Sequence, residues 1–392
     1  MKYEVYDSET TIRNMGDYAI GSMWASPFYP GNIVVTYGEL GIKGGEIQVR
    51  TEYDADGKLP PPIALQMKEE VLVIGHNLPF DLEYMWKMWP NEFWKKLPTL
   101  HIWDTQQAAY LLSGQEKLFA SLDSESEERG LPLKDNRVKK YWDEGIDTPL
   151  IPQDLLVNYM VATDLHNPLA IFRDQYAQLS KNPKLMALMK VKMDDILLTT
   201  VMSIYGMHFD LPTALAKAEE LETEVELLRQ KLIKLATKHF VKHFDFDPAS
   251  DDDISLAAYG GKYKVVENVI VYQGDEPYVY KSGQKKGQVK TKKEKIEYVT
   301  KGFKLPPGIS PKMKNGLYST EEQYLSKIQH PFIELVLKFR ELAKDLSTYY
   351  TGYSKLVFPD EKLHPQFNHS AVKTGRQSCS QPNLQNVTVA ED

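Results

Sequence analysis

The chain reads as an α/β protein whose front half builds a mixed sheet and whose middle turns mostly helical. Two observations carry that reading. Short runs of strand-like alternation at the front are separated by helical patterns, and near residue 190 the composition shifts into a long, almost unbroken helical stretch.

The first strand is read from the alternation Tyr3-Glu4-Val5-Tyr6-Asp7, and apolar strands follow at 32–37 and 71–74. Helical spacing marks residues 104–112 and 152–172. Residues 190–240 are helical with one break, Gly206-Met207-His208-Phe209-Asp210-Leu211-Pro212. There Asp210 can cap the following helix, with Pro212 in its first turn. Ala214, Leu215, Leu221, Val225, Leu228, Leu232 and Leu235 then recur every three or four positions or a multiple, the pattern of an amphipathic helix. Between Lys262 and Lys304 eleven lysines face five acids. The Lys-rich 281–301 part contains Gly283 and Gly287 and reads as a mobile loop or a hairpin, either simply solvated or set against a DNA backbone.

The 392 residues suffice for two or three domains, and 42% hydrophobic with 26% charged residues is ordinary for a soluble globular protein. The single cysteine, Cys379, excludes an internal disulfide and fits a reducing cytoplasm. The N-terminus enters a strand pattern directly, so no signal peptide is expected, and no apolar run approaches the ~18 residues of a membrane span. The formal net charge of −7 does not by itself suggest a nucleic-acid binder, but segregated charges make net charge a poor guide.

Chemistry is concentrated in acids. Residues two apart on a strand share a face, so Asp7 and Glu9 project side by side. Such a pair is either a solvated strand end or a site for a cation, and its oxygen ligands suit Mg²⁺ or Mn²⁺. Asp81 follows the strand and turn Val71-Leu72-Val73-Ile74-Gly75-His76-Asn77-Leu78-Pro79-Phe80, where it can cap a helix.

The segment Gly75-His76-Asn77-Leu78-Pro79-Phe80-Asp81 resembles the G-H-N-x-x-F-D segment of the DEDD 3′–5′ exonucleases. Trp103-Asp104-Thr105-Gln106-Gln107-Ala108 is similar to the D-T-x-x-A helix start of that family, with Asp104 as a structural cap. In Asn158-Tyr159-Met160-Val161-Ala162-Thr163-Asp164, Asp164 corresponds to the family's last acid. The resemblance implies that Asp7, Glu9, Asp81 and Asp164 hold two Mg²⁺ or Mn²⁺ ions and that a tyrosine orients the attacking water. In the family that tyrosine precedes the aspartate by four residues, whereas Tyr159 precedes Asp164 by five. On an α-helix this swings the phenol about a quarter turn away. Pro168 cannot donate to the Asp164 carbonyl and is expected to kink the helix or free that oxygen.

The rear resembles family A DNA polymerases. Lys373-Thr374-Gly375-Arg376-Gln377-Ser378-Cys379-Ser380-Gln381-Pro382-Asn383-Leu384-Gln385-Asn386 is similar to their T-G-R-x-S-x-x-x-P-N-L-Q-N segment at the entry to the palm. Phe246-Asp247-Pro248-Ala249-Ser250 resembles their F-N-x-x-S thumb-helix start, where Asp251, Asp252 and Asp253 suit the helix dipole. Phe339-Arg340-Glu341-Leu342-Ala343-Lys344 resembles the helix leading toward the palm. This likeness implies DNA contacts from Arg376, Gln385 and Asn386, and from Arg340 and Lys344, which alternatively form a solvated face.

The expected protein is thus an RNase H-like mixed-sheet exonuclease domain over 1–190, a helical thumb-like region over 191–350 and an incomplete palm start over 351–392. The expected function is a 3′–5′ proofreading exonuclease within a split family A polymerase, acting on single-stranded 3′ ends and primer-template. The palm carboxylates and fingers are expected on a second polypeptide, and the setting is cytoplasmic and phage-like. A free-standing 3′–5′ nuclease and a non-catalytic DNA-binding assembly subunit remain alternatives.

Overall fold

The computed structural model describes residues 2–12, 25–238, 240, 244–303, 313–314 and 316–387; Lys304 and Val389 lie outside them. The chain forms two compact units, Met1–Leu211 with Lys355–Asp392, and Pro212–Ser354. Of residues 351–392, expected as the beginning of a palm, the described ones from Lys355 onward group with the first unit. Among the described residues no helix is long and apolar enough to cross a membrane.

The first unit is a mixed α/β fold around a five-stranded sheet of order β3-β2-β1-β4-β5. Its strands are β1 (Lys2–Thr10), β2 (Val34–Lys43), β3 (Glu46–Tyr53), β4 (Val71–Gly75) and β5 (Leu100–Asp104). β1 runs antiparallel to β2 and parallel to β4, with Val5 opposite Ile74 in the last β1–β4 pair. β2 turns into β3 through Gly44 and Gly45, both at positive φ, which suits a two-residue hairpin. Burial of Val5, Tyr6, Val73, Ile74, Ile102 and Trp103 against helical residues such as Leu82, Phe93, Leu169 and Ile196 forms the main core.

Two helices follow the parallel strands directly. Pro79–Met88 begins after the β4 turn, with proline in its first turn where a missing N–H costs nothing. Thr105–Leu112 is capped by Asp104, whose Oδ1 accepts from the amides of Gln106 (2.9 Å) and Gln107 (3.1 Å). The other oxygen, Oδ2, accepts from the Leu78 amide at 2.8 Å, so one buried carboxylate fixes the ends of both parallel strands. His76 bridges Thr105 Oγ1 and the Ala120 carbonyl, each at 2.9 Å, and Asn77 takes φ 62°. Both residues shape the turn.

The second unit has its own core of Leu232, Phe246, Ile254, Phe332, Val336 and Phe339. The helix Leu211–Ala236 follows the expected break, and Asp251–Tyr259 is capped by Ser250 accepting from the Asp253 amide at 3.2 Å. Gly260 ends that helix at φ 78°, where a Cβ would meet the Gly302 nitrogen at 2.6 Å. From there the Lys-rich stretch forms a long antiparallel hairpin, Gly260–Ile270 paired with Thr291–Lys301.

Asp104→Ala should cost roughly 2–3 kcal/mol, since it removes a cap and strands a buried amide. Urea unfolding checks this: a loss below about 0.5 kcal/mol would show that Asp104 is not the tie between the strand ends.

Candidate metal centre

The site begins where β1 outruns β4. Past Val5 no β4 residue pairs with β1, because β4 ends at Gly75 and turns into the Pro79–Met88 helix. That helix carries Asp81 in its first turn, and Asp81 takes up the open edge. Ser8 donates to its Oδ1 through the hydroxyl at 2.7 Å, and its backbone amide also bonds Asp81. On the other side of β1, β2 remains paired, with Gly38 opposite Asp7 and Thr36 opposite Glu9.

Asp7, Glu9 and Asp164 each place a carboxylate oxygen within 4.8 Å of the others. Asp164 reaches them from a helix that is not uniformly α. The segment 153–179 comprises an α-helix Gln153–Tyr159, a π-helical turn Met160–Leu165, and an α-helix His166–Leu179. A π turn spends one extra residue per hydrogen-bonded loop, so i and i+5 align there as i and i+4 do on an α-helix. The quarter-turn displacement expected for Tyr159 assumed α geometry, and the winding removes that assumption. Thr163 supports the wide turn by donating its hydroxyl to the Tyr159 carbonyl at 3.0 Å. Pro168 falls in the first turn of the next α-helix, where a missing N–H is tolerated. Gly38 lets the π turn approach the sheet: a Cβ there would sit 2.6 Å from Leu165 Cδ1.

Lys134, which the sequence reading passed over, supplies the cationic counterpart. Its Nζ lies 2.7 Å from Asp164 Oδ1 and 5.2 Å from the centroid of the Tyr159 ring. Asn167 anchors the loop that delivers it, donating through Nδ2 to the Pro132 carbonyl (2.7 Å) and to Ser126 Oγ (2.9 Å). Tyr159 itself is buried, edge-on to Trp142 and beside Val35, Val138, Ile151 and Leu156.

The electrostatics follow from this crowding. Burial, then Asp164, Asp81 and Glu9, hold the Asp7 carboxyl well above the usual carboxylate range. Burial and Asp164 push Glu9 up to about 8, against the pull of Lys134. Burial pushes Asp81 up to about 7, although its two bonds from Ser8 oppose the shift. Burial also raises Asp164, while Lys134 lowers it. For Lys134, burial disfavours the charge, but Asp164 and Asp7 outweigh it and the ammonium is held charged. Asp164 Oδ2 is buried with no hydrogen-bond donor among the described residues. Three convergent carboxylates, one with an undonated buried oxygen, fit a hard divalent cation with oxygen ligands.

Other expected site residues lie elsewhere. Arg376 is exposed on the turn between the paired strands Gln366–Asn368 and Ser378–Ser380, with Gly375 at φ 75° beside it. Gln385 and Asn386 are exposed in the short turn Leu384–Asn386. In the second unit Lys344 is exposed, whereas Arg340 donates to the Thr320 carbonyl at 2.6 Å and pairs with Asp251. A cleft lined by Asn77, Asp104, Gln106, Phe119, Phe367 and His369 is separate: none of the four acids lines it.

Each raised acid binds a proton more tightly folded than unfolded. Its stabilising contribution is therefore full below the unfolded pKa and lost as pH rises through the folded value. For Glu9 the window runs from its ordinary 4.5 to about 8. In chelator, the thermal midpoint should fall across that window, fall further in Lys134→Met, and flatten when Mg²⁺ or Mn²⁺ is added. Scanning calorimetry at several pH values tests this, and a flat chelator profile would count against crowding of the acids.

With this geometry in view, the relationships of the chain become informative. Residues 276–392 match the model of the family described as DNA polymerase family A. Over 79 residues the chain is 46% identical to the thermostable DNA polymerase I of Thermus filiformis, covering 19% of this chain and 10% of that protein. Over 133 residues it is 32% identical to DNA polymerase I of Bacillus subtilis, covering 33% of this chain and 14% of that one. These matches span only about a tenth of the relatives' length. All of this chain superposes on 53% of a solved POL domain of Pol1 from M. smegmatis, in complex with DNA primer-template and dNTP, with a TM-score of 0.58 and 14% identity. That likeness concerns the fold, and the sequence matches show residues 276–392 to be similar to family A DNA polymerases.

Proposed function

We propose that the front of this chain hydrolyses 3′-terminal nucleotides from DNA, as the proofreading part of a family A polymerase. One observation carries the reading: oxygens of Asp7, Glu9 and Asp164 converge within 4.8 Å, with Lys134 set between Asp164 and the Tyr159 ring.

In this proposal Asp7, Glu9 and Asp164 hold Mg²⁺ or Mn²⁺, and Asp81, fixed by Ser8, serves as the fourth acid of a two-ion site. Bound there, the ions would neutralise charge on the phosphodiester and acidify a water. The Tyr159 phenol would orient that water by hydrogen bonding. The water's oxygen would add to phosphorus as the bond to the 3′ oxygen breaks; the water's proton would pass to solvent and the leaving oxygen would take one up. The products are a shortened strand with a free 3′-hydroxyl and a nucleoside 5′-monophosphate.

Arg376, Gln385, Asn386 and Lys344 are proposed DNA contacts, supported by their exposure and their place in the polymerase-like segments. Arg340 is committed to Thr320 and Asp251 in this structure, so a DNA role would require it to exchange those partners. We propose further that templated synthesis requires palm carboxylates and fingers, whose motifs these 392 residues do not carry. The support is that Lys373–Asn386 resembles the family's approach to the palm.

The nuclease reading is tested on a 5′-labelled single strand. The chain should shorten it from the 3′ end with Mg²⁺ or Mn²⁺ and stop in EDTA. Asp7→Ala with Glu9→Ala should abolish the activity, and Tyr159→Phe should slow it roughly 10²-fold or more. Unchanged digestion by the double variant would falsify the assignment.

The synthesis reading has a separate check. These residues alone should incorporate no nucleotide on a primed template, and supplying a family A palm and fingers, in the same chain or another, should restore synthesis. Incorporation by these residues alone would overturn the requirement for a palm and fingers.

A further inference from the structure

We infer that one face of the Gly260–Ile270/Thr291–Lys301 hairpin binds a nucleic-acid phosphate backbone. The inference goes beyond the nuclease reading and stands whether or not the carboxylate centre hydrolyses anything.

The register sorts the charges. Residues directly opposite each other in an antiparallel pair share a face, and the face alternates along each strand. One face therefore carries the pairs Gly260/Lys301, Lys262/Val299, Lys264/Glu297, Val266/Lys295 and Asn268/Lys293. Each of these five rungs contributes one lysine, the sixth rung of the face, Ile270/Thr291, contributes none, and all five lysines are exposed. A single acid, Glu297, shares the face, where it pairs with Lys262 at 2.8 Å. The opposite face holds the rungs Tyr263/Tyr298, Val265/Ile296, Glu267/Glu294 and Val269/Lys292. It carries two acids and one lysine, and near the hairpin base Tyr263 belongs to the hydrophobic core. Packing thus accounts for the base of one face, while on the lysine face only the Lys262–Glu297 pair has a structural part.

Like charges on neighbouring rungs repel, and a folded hairpin gains nothing by collecting them on one side. Five lysines on one ribbon face of a chain whose formal net charge is −7 call for a polyanion. Successive rungs on one face are ~7 Å apart, so the lysines follow one another one per rung along the ribbon, a spacing suited to the repeating charges of a phosphodiester chain. Val266 and Val299, 56% and 59% exposed, sit among the lysines on the same face and offer apolar contact to sugars. The array has no base-reading side chain beyond Asn268, which favours a sequence-independent grip.

The test uses the full chain in chelator, so that no strand is cut. Anisotropy is measured for a labelled single strand and for its duplex over a range of salt. Lys262, Lys264, Lys293 and Lys295 are all changed to Gln in one variant. A second variant changes Lys281, Lys285, Lys286 and Lys290, which removes the same charge at the far end of the hairpin. The face variant should flatten the slope of log affinity against log salt by about three, while the end variant changes it by less than one. The larger loss, on single strand or on duplex, identifies which backbone the face holds. Equal slopes for the parent and the face variant overturn the inference, as do equal losses in the two variants. Face-dependent binding of polyglutamate without binding of either nucleic acid would also overturn it and mark the face as a site for an acidic protein.

Discussion

The front of the molecule depends on the repulsion among acids gathered where β1 outruns its parallel neighbour. An unpaired strand end would normally be hydrated, but here the π turn closes over it and Asp81 bonds its edge. The carboxylates brought together in this way destabilise one another, and Lys134 offsets only part of that cost. Such an arrangement fits the cation that the proposed function places there. Most of the local structure can be understood as support for that tension. Asp104 fixes both parallel strands, Asn167 holds the loop that delivers the lysine, and Gly38 makes room for the wide turn.

How the tyrosine joins this group illustrates a compromise between backbone and side chain. A five-residue interval on an α-helix would separate Tyr159 and Asp164 on different faces. The π turn restores their alignment by giving up regular hydrogen bonding, and Thr163 compensates one carbonyl with its hydroxyl. The interval is thus an irregularity of sequence absorbed by the main chain, leaving the face of the helix intact.

Much of this was legible in the sequence, for physical reasons that differ from residue to residue. Asp7 and Glu9 could be placed on one face because a strand has a period of two, and Asp104 could be read as a cap because it precedes an apolar helix. β3 escaped notice because it is an edge strand whose eight residues are all exposed or half-buried, so it lacks an apolar signature. Only Gly44-Gly45 marked its turn. β5 was hidden by its brevity and by polar His101 among its apolar residues. The π turn could not be read at all, since hydrophobic periodicity is too coarse to register one extra residue. Lys134 is a lone lysine between Leu133 and Asp135, and only the tertiary fold reveals what it faces. The hairpin was visible as a lysine-rich stretch, but which lysines share a side depends on a register that composition does not contain.

The division of the chain has a consequence for biosynthesis. The second unit is inserted within the first, whose residues from Lys355 onward follow it in the chain. Those residues supply real supports: Tyr110 donates its hydroxyl to the Val372 carbonyl, His369 meets Thr199, and His364 stacks on Phe28. A ribosome releasing this chain therefore presents the carboxylate-bearing sheet before the segment that braces the helices and loop around it. The intervening unit must emerge in full before the bracing segment arrives. The first unit passes through an unbraced stage that lasts as long as the synthesis of the whole second unit.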